Sequence, residues 1–154
     1  VHSLRIVTEP EICELAAGEW AGVGRIYDRM GWEARAIDAW RTALSDEVGE
    51  IAEDSAARLW REMGVRYKRA DAWEDANAIW ETWIRRIPMA VSPLVEKAKY
   101  YEWVVEDLDA ALTCTRQALE RAASWHSSLK RRRTLDELEH RQARLERKLA
   151  RCDL

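Results

Sequence analysis

The stretch Trp60–Pro88, WREMGVRYKRADAWEDANAIWETWIRRIP, decides how the rest of the chain is read. It contains Trp60-x2-Met63-Gly64-x2-Tyr67, then Trp73-x2-Ala76-x3-Trp80-x2-Trp83, then Pro88. Steps of three and four residues place such side chains on one face of a helix. Gly64 and Ala76 are small positions where two antiparallel helices can approach closely, with Trp60, Tyr67, Trp80 and Trp83 as the large side chains around that contact. Pro88 cannot continue a helix and closes the second one.

The same pattern recurs upstream. A shift of forty residues lays Trp20, Gly24, Tyr27, Ala36 and Trp40 onto Trp60, Gly64, Tyr67, Ala76 and Trp80. The first helix of this earlier unit is expected to open at the capping box Thr8-x-x-Glu11, with Pro10 in its first turn. It would carry Ile12, Leu15, Ala16, Trp20, Val23 and Tyr27 on one apolar stripe and stop near Gly31. The second helix is expected from about Trp32 to Leu44. Downstream, Ser92-Pro93 reads as N-cap and first helical residue of a third unit. Leu94, Ala98 and Tyr101 lie 34 residues after Trp60, Gly64 and Tyr67, whereas Leu108, Ala111 and Ala118 lie 35 after Trp73, Ala76 and Trp83. The turn of the third unit is therefore expected to hold one extra residue. Thr115 stands where Trp80 predicts an aromatic.

The motif resembles the tetratricopeptide (TPR) repeat: Trp, two residues, Leu-Gly, two residues and Tyr, then Ala, three residues and an aromatic, then Pro, within about 34 residues. Met63 for Leu and Trp80 for Phe are its departures. The resemblance implies an all-α, TPR-like helical repeat array, with three helix-turn-helix hairpins at residues 9–44, 55–88 and 92–126 in a right-handed superhelical stack. Residues 1–8 read as a lead-in. The forty-residue offset exceeds the period by about six, which places an insertion at Ser45–Asp54. Its carboxylates Asp46, Glu47, Glu50, Glu53 and Asp54 read as a solvated cluster near the start of the helix carrying Trp60, with a cation site or a docking patch for a basic partner as the alternative.

After Trp125 the pattern changes. Ser127-Ser128 and Lys130–Arg133 read as a connection, and Thr134-x-x-Glu137 as the capping box of a last helix over 134–152. In that helix Leu135, Leu138, Gln142, Leu145, Leu149 and Cys152 form one stripe, and Glu137, Arg141, Arg144, Lys148 and Arg151 the opposite face. It reads as the capping helix such arrays need, with a dimerisation helix as the alternative; the chain is expected to be a monomer, or a dimer through this element.

With 47% hydrophobic and 34% charged residues, the chain belongs with globular rather than disordered proteins. It lacks an apolar run of about 18 residues and a signal-peptide pattern at its start, so no membrane partner is expected and the cytoplasm is the expected location. Cys13, Cys114 and Cys152 are unpaired in spacing and read as apolar fillers in a reducing compartment. They and the isolated His2, His126 and His140 offer no metal-ligand spacing. No phosphate loop, His-Glu-x-x-His or nucleophile elbow is present. Asp107 and Asp109 read as helix capping rather than a catalytic pair. The expectation is a non-enzymatic protein without catalytic residues, metal or cofactor.

The third unit and tail carry a narrower resemblance. Ala98-Lys99-Tyr100-Tyr101-Glu102, Asp107-Leu108-Asp109-Ala110-Ala111, Arg131-Arg132-Arg133 and Leu138-Glu139-His140-Arg141-x2-Arg144-Leu145-x2-Lys148 look like the C-terminal TPR-like tail of a bacterial family with an N-terminal ribonuclease H-like exonuclease domain. That family's metal-binding carboxylates belong to the exonuclease domain, so the resemblance carries no activity to any residue here.

In TPR arrays the first helix of each pair lines a groove. Registered on this chain, the groove positions are Arg25 and Arg29, then Arg58, Arg61, Lys68 and Arg69, then Lys99 and Trp103. Such a groove suits a protein partner or acidic peptide, although Asp28, Glu62, Glu96 and Glu102 would partly neutralise it. A second candidate partner is nucleic acid. Residues 127–154 hold nine Lys or Arg against five Asp or Glu, a net of +4, leaving −7 elsewhere to make the total of −3. Lys130, Arg131, Arg132 and Arg133 are the candidate phosphate contacts.

Overall fold

The structure, a computed structural model, describes residues 15–154. The expected lead-in, the Thr8–Glu11 capping box, His2 and Cys13 lie outside the described residues. Among the described residues the chain is all-helical, with seven α-helices: α1 (Ala17–Arg29), α2 (Glu33–Leu44), α3 (Glu53–Arg69), α4 (Trp73–Arg86), α5 (Ser92–Tyr100), α6 (Leu108–Ala123) and α7 (Leu129–Cys152). A 3-10 turn at Asp46–Val48 follows α2, and a π-helical turn at Tyr101–Val105 extends α5. Two compact units divide the chain at Met63/Gly64, within α3.

In the first unit α1 and α2 pack against each other. The expected unbroken stripe from Ile12 to Tyr27 is corrected here: Ala16 is extended (φ −72°, ψ 162°) and α1 begins at Ala17. Alanine offers no side-chain acceptor for an N-cap. Only half of a capping box forms, with the Glu19 carboxylate accepting from the Ala16 N–H at 2.9 Å. Ala17, Ala21, Val23 and Tyr27 from α1 and Ala36, Ala39, Trp40 and Ala43 from α2 are buried. Gly24 has a steric reason: a Cβ there would overlap the Trp40 ring. Of the acidic run, Glu53 and Asp54 occupy the first turn of α3, where the helix dipole favours them. Asp46 and Glu47 belong to the 3-10 turn.

In the second unit α4, α5, α6 and α7 pack in chain order. A Cβ on Gly64 would lie 3.0 Å from Trp80 Nε1, the counterpart of the Gly24–Trp40 approach. At the equivalent positions of the third hairpin stand Ala98 and Thr115, both fully buried. Residue 98 carries a Cβ where the glycine leaves space for an indole, and Thr115 has no ring to place. The Thr115 hydroxyl donates to the Ala111 carbonyl at 2.9 Å. Two apolar clusters hold this unit: Val91, Leu94, Ala118, Ala122 and Leu138, and Ala111, Leu112 and Leu145. The loop before α5 is tied down by Arg121 donating to Ala90 O at 3.0 Å and Trp125 to Met89 O at 3.1 Å.

Three expected boundaries shift. Val91 caps α5, so Ser92 and Pro93 are its first helical residues. The last helix starts at Leu129 rather than 134, because Ser128 accepts from the Arg131 N–H at 3.1 Å and is the N-cap. Lys130–Arg133 are thus helical, and Thr134 is interior to the helix. The extra residue of the third unit lies not in the turn but in the π-helical end of α5.

The turns themselves repeat. Gly31, Asp71 and Glu106 all carry positive φ, at 77°, 54° and 61°. The N–H of the following residue, Trp32, Ala72 or Asp107, donates back to the carbonyl of Tyr27, Tyr67 or Tyr101, at 2.9 Å each time. This is a Schellman-type closure, and its residues are forty, then 34 or 35, positions apart.

Candidate partner-binding surface

The groove candidates fall in both units. Arg25, Arg29, Arg58 and Arg61 belong to the first, on α1 and α3, and all are exposed. Lys68, Arg69, Lys99 and Trp103 belong to the second. There Glu96 is shared by Lys68 and Lys99, the latter at 3.0 Å. Burial alone would raise the Glu96 pKa, but hydrogen bonds and charge from Lys68 and Lys99 outweigh it and hold the carboxyl below its ordinary value. Two of the expected groove cations are therefore already engaged, and Glu96 offsets one of their two charges.

Glu102 faces inward. Its side chain is fully buried and meets three cations from α7: Arg141 at 3.1 Å, Arg144 at 2.8 Å and Lys148 at 2.7 Å. This corrects the expectation that these three residues face away from the core. Steps of three and four along α7 bring them to one side, and the π turn presents the carboxylate to them. Desolvation pushes the Glu102 pKa up, but hydrogen bonds from Lys148 and Arg144 and their charges more than reverse it, so the group stays ionised below the usual carboxyl range. Arg141 is lowered, first by its own desolvation and then by the neighbouring Arg144. All four residues belong to the segments that carry the narrower resemblance; spacing alone gave no sign that they converge.

Trp103, the neighbour of Glu102, is 64% exposed, with the Lys148 ammonium 4.0 Å from its ring centroid. Of the four candidate phosphate contacts, Arg131 is engaged through Nε and Nη2 with the Ala123 carbonyl that ends α6, at 3.3 and 3.0 Å. Lys130 lies over Trp125 at 5.5 Å. Arg132 and Arg133 are exposed. The four basic residues thus divide between structural and solvent-facing roles.

Asp107 is the N-cap of α6, its carboxylate accepting from the Ala110 N–H at 2.9 Å. Cys114 is buried, and desolvation raises its thiol pKa; Cys152 is exposed, against the expectation of a filler. Among the described residues, no group of three or more His, Cys, Asp or Glu could hold a metal ion, and no helix is long and apolar enough to cross a membrane. Compared with protein-family models and with curated proteins, the chain matches none.

Proposed function

We propose that the chain is a non-enzymatic, TPR-like interaction scaffold whose partner is a protein or an acidic peptide. The observation that carries this reading is the turn used three times, with Gly31, Asp71 and Glu106 in the left-handed region and the carbonyls of Tyr27, Tyr67 and Tyr101 closing it. A backbone device repeated at matched positions is what tandem helical hairpins need, and hairpin arrays present extended surfaces to other chains. The Gly24–Trp40 and Gly64–Trp80 approaches support the same register. In α7, Leu138 and Leu145 are buried within its own unit, which favours a capping helix over a dimerisation helix.

The second reading, an accessory nucleic-acid-binding module of an exonuclease-domain protein, draws support from the exposed Arg132 and Arg133. A random-peptide display selection against the immobilised protein tests the first reading. Enrichment of related peptides that bind saturably supports it. No enriched peptide, together with retention of single-stranded oligonucleotides that weakens steeply with salt, would replace it with the second.

A further inference from the structure

The third hairpin departs from the others at one place. Between the tyrosine whose carbonyl closes the turn and the left-handed residue, the first two hairpins hold Asp28-Arg29-Met30 and Lys68-Arg69-Ala70, and the third holds Glu102-Trp103-Val104-Val105. The added residue is housed in the π turn Tyr101–Val105, a backbone form that is rare and frequent at functional sites. Its consequence is an inversion of polarity. The carboxylate of Glu102 turns in, while Trp103, Val104 and Val105 turn out, at 64%, 41% and 47% exposure. The other hairpins place mostly charged residues there. Three consecutive large apolar side chains are thus exposed on one turn.

The surroundings are charged in a particular way. Arg141, Arg144 and Lys148 bring three positive charges to the single negative charge of Glu102, an excess of +2 within that cluster. The Lys148 ammonium rests on the Trp103 ring, 4.0 Å from its centroid. On the C-terminal side of the turn stand Glu106, Asp107 and Asp109, all exposed. A long polyanion laid across the turn would meet these carboxylates, whereas a short segment can place its own carboxylates at the cations and an apolar side chain on the exposed turn. Valines beside the tryptophan also suit aliphatic anchors better than stacked bases, which call for aromatic platforms.

We infer that the Trp103–Val105 turn is a docking knuckle for an acidic peptide segment with bulky aliphatic anchors, its carboxylates taken by Arg144 and Lys148. This rests on the scaffold reading and names the partner's chemistry and its place. The test uses the full chain and three fluorescein-labelled probes: dodecapeptides with a Leu-x-x-Leu core flanked by four glutamates, the same peptides with lysines for glutamates, and a single-stranded dodecanucleotide. Fluorescence anisotropy should show saturable binding of the glutamate peptides and none of the lysine peptides. Trp103→Ala and Val105→Glu should each weaken that binding at least about tenfold. Both positions are exposed, and circular dichroism checks that the helices persist. Glutamate peptides that bind both variants as tightly as the wild type would overturn the knuckle and leave the scaffold reading standing. Preference for the lysine peptides, or binding of neither peptide, would also overturn it. Trp103-dependent binding of the oligonucleotide in place of the peptides would overturn both.

Discussion

Asp71 stands forty residues after Gly31 and repeats its left-handed backbone, φ 54° against 77°, without being glycine. Glu106 does the same in the third hairpin at 61°. An L-residue other than glycine is disfavoured there by roughly 1–2 kcal/mol, with aspartate among the better tolerated. Glu106→Gly should therefore stabilise the protein by about 1 kcal/mol, after allowance for the greater chain entropy of glycine. Asp71→Gly should gain less. Thermal or urea denaturation checks both, and a loss of stability on Glu106→Gly would contradict the shared-turn account.

The two glycine–tryptophan approaches are unequal. A Cβ on Gly24 would overlap the Trp40 ring, whereas on Gly64 it would meet Trp80 at 3.0 Å and require the ring to yield by a few tenths of an ångström. Overpacking costs about 1–3 kcal/mol, and alanine recovers about 1 kcal/mol of helix propensity over glycine. Gly24→Ala is expected to destabilise by about 2 kcal/mol net, and Gly64→Ala by less than about 1 kcal/mol. The reverse order in denaturant midpoints would show that the rings are held differently.

Trp60 and Trp80 are 3% and 2% exposed. Truncation of either to alanine should cost about 3–5 kcal/mol, the range for a large buried aromatic. A loss below about 1 kcal/mol would break the repeat register.

What the sequence disclosed and what it hid divide on physical lines. The helices and the small-large pairs are legible because each depends on spacing within one or two helices: Gly64 and Trp80 are sixteen positions apart and sit in a recognisable pattern. Thr134-x-x-Glu137 and Ser128 both offer a capping side chain at the start of α7, and the choice falls to contacts that spacing does not carry, Arg131 N–H to Ser128 and the Arg131 guanidinium to the Ala123 carbonyl. The change of offset from 34 to 35 reveals an extra residue in the third unit but not whether it sits in the turn or in the π-helical end of α5 before it. The Glu102 cluster was hidden because its partners are 39 to 46 residues away, beyond any local rule.

Two ion-paired carboxylates set an acid response. Glu102 and Glu96 both titrate below the ordinary value of 4.5 in the folded chain. Below about pH 4.5 the unfolded chain takes up protons that the folded chain still refuses, so acid favours unfolding. The stabilisation is complete above pH 4.5 and is lost as pH falls through the folded values. Glu102→Gln leaves three cations without their counter-charge. It should cost about 3 kcal/mol, at the low end for breaking a buried pair because Arg144 and Lys148 can turn to water. The variant should also lose part of the acid dependence. Unchanged stability and an unchanged acid limb would remove Glu102 from its assigned role.

A paired titration of the intact chain with a display-selected peptide and with a single-stranded oligonucleotide, each at about 50 and 200 mM salt, separates the two classes of partner over the range in which phosphate contacts lose affinity steeply. An interaction scaffold should bind the peptide saturably at both salts and show no oligonucleotide affinity. Oligonucleotide binding that collapses between the two salts, with no peptide bound, would contradict it.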